Sequence, residues 1–72
     1  MDEKRELLLK LGARVRQLRK AKEFSQEELA FSLGKDQQSI QRLETGNINP
    51  SYIYLLDIAK GLDVSISELL NF

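Results

Sequence analysis

The sequence predicts an all-α fold of five short helices around one core, on three observations. Apolar residues recur at steps of three and four along the chain, and no strand-like alternation competes with them. Serine or aspartate precedes several apolar stretches, and glycine closes two of them. Seventy-two residues, 42% of them hydrophobic and 31% charged, suit one globular domain over positions 1–72. At that size stability is modest unless packing is efficient or a partner helps.

The first helix is expected from Asp2 or Glu3 to about Lys22, because Leu8, Leu11, Val15 and Leu18 form one stripe. Leu7 and Leu8, nearer its start, are expected to cover the core. Ser25 offers an N-cap to the second helix, and Glu28 three residues on completes a capping box. Leu29, Ala30 and Leu33 give that helix its buried side, and Gly34 ends it through the left-handed conformation that glycine accepts. Asp36 caps the third helix, whose inward residues are Ile40 and Leu43, and Gly46 closes it. The segment GNINPS, with the only proline, reads as a loop. The fourth helix then spans roughly Ser51 to Gly61, with Tyr52, Leu55, Ile58, Ala59 and Leu62 on one face. Ser65 and Glu68 form a second capping-box pattern and start a short fifth helix ending near Leu70.

Composition excludes several functions. Cysteine and histidine are both absent, so disulfides, thiolate metal sites and imidazole catalysis are unavailable. No phosphate-cradling glycine motif or paired-carboxylate arrangement suggests a reaction centre, and no metal or cofactor is called for. No apolar run reaches about 18 residues, and the charged start MDEKRE has no signal-peptide core. A cytoplasmic protein without a membrane partner is expected, and an enzyme is not.

Eleven basic and eleven acidic residues cancel, yet they are unevenly spread. Lys10, Arg14, Arg16, Arg19, Lys20 and Lys22 occur with no acid among them, whereas Lys60 is the only base from Leu43 onward. The pattern is either a solvated helix face or the footprint of a polyanion.

The stretch SQEELAFSLG followed by DQQSIQRLETG sets two short helices either side of a glycine turn, the pattern of a helix-turn-helix. In that motif the second helix presents base-reading side chains near its N-terminus, where Gln37 and Gln38 stand. A glutamine amide offers an acceptor and donors that match N7 and N6 of adenine in the major groove. Solvated helix residues are the competing reading.

LGARVRQLRK, SQEELAFSLG, SIQRLETG and NPSYIYLLDIAKGLDVSISELL, in that order, resemble the Cro/CI-type (XRE-like) helix-turn-helix family over residues 11 to 70. The resemblance implies a lambda-repressor-like five-helix domain, with the motif at about 25–45, that binds double-stranded DNA as a two-fold dimer. QQSIxxLExG is similar to the recognition helix of lambdoid phage repressors. There, glutamines at the positions of Gln37 and Gln38 read base edges, and Arg42 replaces a third base-reading glutamine. Arg42 has two readings, guanine O6 and N7 or a phosphate. Gln41 stands in place of an acid and joins the phosphate-contact candidates. The resemblance further implies that Gln26 binds a phosphate and braces the reading helix, with Ser25 beside it. It also implies an ion pair between Arg19 and Glu44. Arg14 and Lys35 are further phosphate candidates. The loop after the third helix offers only Asn47, Asn49 and backbone amides, so electrostatic anchoring there is expected to be weak.

In the fourth helix Ile53 and Leu56 point away from the core-facing residues. They are either ordinary exposed side chains or, with Ile66, Leu70 and Phe72, a homodimer interface. The interface is preferred, because so short a chain leaves no room for a separate dimerisation domain. The expected function is a sequence-specific transcriptional regulator, a repressor or autoregulator on a pseudo-palindromic operator. The alternative is a protein-interaction module of the same fold, antitoxin-like or an antagonist.

Overall fold

The computed structural model describes residues 2–72; Met1, the first position of the expected 1–72 unit, lies outside them. Five helices follow in order: α1 (Glu3–Ala21), α2 (Gln26–Ser32), α3 (Gln37–Glu44), α4 (Tyr52–Gly61) and α5 (Ile66–Leu69). There is no strand among the described residues. None of these helices is long and apolar enough to cross a membrane.

Every helix starts the same way. Asp2, Ser25, Asp36, Ser51 and Ser65 sit in extended backbone and accept the N–H three residues on. Each cap satisfies a donor that has no partner inside its helix, worth about 1 kcal/mol. The second half of the capping box, a glutamate reaching back, forms only at Ser25 and Glu28. At Ser65 the serine hydroxyl takes the Glu68 N–H at 3.0 Å, but the full box expected there is replaced by this single bond.

The first four helices also end alike, on a residue with positive φ followed by a paired return of N–H groups. At α2 and α3 that residue is Gly34 (φ 66°) or Gly46 (φ 73°). At α1 and α4 it is Glu23 (φ 60°) or Asp63 (φ 57°). In each case the next residue donates back five positions, as Phe24 does to the Arg19 carbonyl at 3.1 Å and Val64 to Ala59 at 3.0 Å. These bonds satisfy carbonyls that the helix ends leave open.

The core draws on every helix. Val15, Leu29, Ile40, Ile58, Leu62 and Leu69 are fully buried, with Leu11, Ala30, Leu43 and Ala59 beside them. Burial of a leucine or isoleucine stabilises by roughly 1.5–3 kcal/mol, so this cluster supplies most of the favourable free energy. Two expectations are corrected. Tyr52 is 60% exposed; Tyr54 packs on the core instead, because its ring and hydroxyl find partners before and within α3. Leu7 is 51% exposed and Leu8, though half-buried, lies outside the core cluster, which begins at Leu11 in α1.

Gly12 is the point where α1 and α3 touch backbone to backbone. A Cβ there would lie 2.4 Å from the Glu44 carbonyl oxygen and 2.5 Å from that of Leu43. Only glycine permits this approach, which sets the depth at which the C-terminal end of α3 is held.

Candidate nucleic-acid interface

Three residues of α3, Ile40, Leu43 and Glu44, are buried and four are exposed. Ile40 and Leu43 anchor the helix in the core, while Gln37, Gln38, Gln41 and Arg42 are exposed. At 100° per residue the last three of those four form one solvent face, with Gln37 at its leading edge. Asp36 holds the first turn by accepting the Ser39 N–H at 2.8 Å. None of the four exposed side chains makes a hydrogen bond to another described residue, so their polar atoms are free for a ligand.

The far end of α3 is fixed by a buried ion pair. Arg19 Nε lies 2.6 Å from Glu44 Oε2 and Nη2 lies 3.0 Å from Oε1, a bidentate fork from α1. The third arm, Nη1, donates to the Phe24 carbonyl at 2.6 Å. Gln26, half-buried on α2, donates Nε2 to the same Glu44 Oε1 at 3.1 Å. One carboxylate therefore joins three helices. The Glu44 hydrogen bond raises the Arg19 pKa above its ordinary value; burial opposes this, and the carboxylate charge adds to the rise. The guanidinium stays charged, and its main effect is to fix the angle of α3, since buried pairs add little net stability.

At the amino end of α2, Ser25 Oγ accepts the Glu28 N–H at 3.0 Å and the Ser25 N–H donates to Glu28 Oε1 at 2.9 Å. Hydrogen bonds from the Ser25 backbone and then from its hydroxyl hold the Glu28 carboxyl below its ordinary pKa. The loop after α3 has its own network. Asn47 Nδ2 donates to Thr45 Oγ1 at 2.8 Å, and Thr45 Oγ1 to the Gln41 carbonyl at 2.8 Å. Arg5, from the start of α1, donates to the Gly46 carbonyl and, at 3.1 Å, to Asn47 Oδ1. Nothing in the sequence pairs Arg5 with residues 41 and 42 positions away. Asn49 is exposed beside Lys4, Leu7 and Leu8.

Several basic residues are occupied inside the fold. Arg14 donates Nη2 and Nε to the Glu68 carbonyl at 2.8 and 3.2 Å, and Nη1 to Gln17 at 3.0 Å. It ties α1 to α5 on the side of α1 opposite Gly12 and Arg19. Lys35 is 3.3 Å from Asp57 and sits 4.5 Å over the Tyr54 ring. Lys10, Arg16 and Lys20 remain exposed on α1.

Of the apolar residues expected together, Ile53, Leu56, Leu70 and Phe72 are exposed by 66, 36, 42 and 53%. Ile66 is corrected: it packs against the core, because α5 is a single turn whose inward side it shares with Leu69. Phe72 lines a shallow cleft against Lys10, Ala13 and Arg14. Phe31 on α2, 87% exposed, carried no sequence signal beyond its place in an amphipathic helix.

The helix-turn-helix family model matches residues 15–69, from the middle of α1 through α5. The chain belongs to the helix-turn-helix family. Among relatives of this helix-turn-helix protein, the HTH-type transcriptional regulator y4dJ of Sinorhizobium fredii is 38% identical over 61 residues, covering 85% of this chain and 79% of that one. The control protein C.MunI of a Mycoplasma species is 31% identical over 67 residues, covering 92% and 90%. Among solved structures, the restriction-modification controller protein C.AhdI of Aeromonas hydrophila superposes with a TM-score of 0.89 at 40% identity, covering 94% of this chain and 99% of that one.

Proposed function

We propose that the protein is a sequence-specific DNA-binding transcriptional regulator, a repressor or autoregulator that acts in the cytoplasm as a homodimer. The observation that carries this is α3 itself: a helix buried along one side, fixed at both ends, with three glutamines and an arginine on the other. That arrangement suits entry of a helix into the major groove, with its amino end towards the bases. Gln37 and Gln38 read base edges in this proposal, and Arg42 reads guanine or grips a phosphate.

Phosphates are met by the α2 amino end at Ser25, by Gln41 and by Asn49 in the following loop, while Asn47, held by Arg5 and Thr45, shapes that loop. Gln26, Lys35 and Arg14 are engaged within the fold, so bracing is their main role here. Relatives described as controller and control proteins, matched nearly end to end, support the regulatory reading. Ile53, Leu56 and Leu70 are proposed to meet their counterparts across a two-fold axis, placing two α3 helices about 34 Å apart.

The test is selection of bound duplexes from a randomised pool, followed by titration at two salt concentrations. Two half-sites one helical turn apart are expected. Gln37→Ala and Gln38→Ala are each expected to flatten preference at one base position, by about tenfold or more. Failure to enrich any sequence at about 50 mM salt, where phosphate contacts are strongest, refutes the DNA reading and favours a protein partner. Leu56→Asp is expected to leave a monomer by sedimentation; an unchanged mass refutes the α4 interface.

A further inference from the structure

The residues that flank the two reading glutamines are both attached to α4, and this attachment has a chemistry of its own. Ser39, next to Gln38, shares a hydrogen bond between its Oγ and the Tyr54 hydroxyl. Lys35, two residues before Gln37, lies 4.5 Å over the ring of the same tyrosine and 3.3 Å from Asp57, one turn further along α4. Lys35 therefore bridges a ring and a carboxylate, and its side chain is only 19% exposed. Gln37 and Gln38 sit between two tethers to one aromatic side chain.

We infer that Tyr54 is a positioning residue for base readout, setting the orientation of the first turn of α3 through Ser39 and Lys35. The inference rests on the reading that Gln37 and Gln38 touch bases. A bidentate amide–adenine contact tolerates an error of only about 0.5 Å and 10–20°. The Asp36 cap holds the Ser39 backbone but leaves the roll of that turn about the helix axis to side-chain contacts. Ile40 and Leu43 are apolar and non-directional, whereas the Tyr54 hydroxyl and the cation over its ring are directional. A phenol body inside with a polar tip at the reading end is how a tyrosine fixes both depth and angle.

The experiment uses the full chain with Tyr54→Phe, Ser39→Ala and the double variant, titrated on a selected duplex and on a scrambled one. Tyr54→Phe is expected to weaken specific binding about tenfold, leave scrambled-duplex binding within about twofold, and leave the salt slope unchanged. Preference is expected to flatten at the bases assigned to Gln37 and Gln38. The double variant is expected to behave like either single one, since both remove the same bond. Equal loss on both duplexes in step with a lower Tm overturns the inference and leaves a packing role. A salt slope lower by about one charge also overturns it, because a phosphate contact was then lost. If Gln37→Ala and Gln38→Ala change no preference, the reading of α3 itself has failed and this inference falls with it. If they do change it while Tyr54→Phe is silent, only the positioning role is refuted.

Discussion

Replacing Gly12 with alanine sets two effects of opposite sign against each other. In an open helix the change stabilises by about 1 kcal/mol, because alanine loses less backbone freedom on folding. Here the new Cβ would stand 2.4 Å from one carbonyl oxygen of α3 and 2.5 Å from another, against about 3.4 Å for ordinary contact. α1 and α3 must part by about 1 Å, and neither obstacle is a side chain that can swing aside. Overpacking of this kind costs typically 1–3 kcal/mol, and backbone obstacles place it at the upper end. The Arg19–Glu44 fork, with arms of 2.6 and 3.0 Å, spans the same gap and is stretched with it. The net expectation is a loss of about 2 kcal/mol, or a Tm lower by roughly 10 °C for a chain of this size. Thermal melts and urea titrations of Gly12→Ala measure it. A Tm that rises by several degrees would show that propensity wins and that the helices are not in hard contact.

Glu44→Ala strands a buried guanidinium and is expected to cost about 3–5 kcal/mol in urea unfolding, with Arg19→Met plus Glu44→Leu regaining most of it; a single-variant loss below about 1 kcal/mol contradicts the burial argument. Glu23→Gly and Asp63→Gly relieve left-handed backbone at two helix ends and should each raise stability by roughly 0.5–1 kcal/mol, read as an increased Tm. Because the Glu28 carboxyl is held below its ordinary pKa, its stabilisation is full at neutral pH and disappears as pH falls through that lowered value. Glu28→Gln should therefore lower the Tm at pH 7, with the difference closing as pH falls through the lowered Glu28 range; a constant offset across pH would refute the linkage.

The helices were legible because local chemistry marks their ends. Ser25, Asp36 and the glycines at 34 and 46 are single-residue signals, and all four act at the ends they mark. The ends at Glu23 and Asp63 carry a weaker signal, since glutamate rarely adopts positive φ and aspartate does so only occasionally. Tyr52 and Tyr54 flank the buried side of α4 at similar angles, so the helical wheel alone could not choose between them. Partners in and before α3 made the choice. Gly12 shows the same limit: a glycine inside a helical stripe hints at close approach, but the chain does not say to what. The exposed glutamines were readable from their position, whereas the engagement of Arg14 and Lys35 within the fold needed three dimensions.

The exposed side of α3 has a consequence for how such a protein changes over time. The side chains of Gln37, Gln38, Gln41 and Arg42 contribute no hydrogen bond to the fold, while Ile40, Leu43 and Glu44 in the same helix carry its attachment. Surface substitutions of this kind usually alter stability by less than about 0.5 kcal/mol. New recognition can therefore be written at four positions without renegotiating the core, and a library randomised there should fold almost throughout. The molecule separates an editable face from a frame that tolerates little editing.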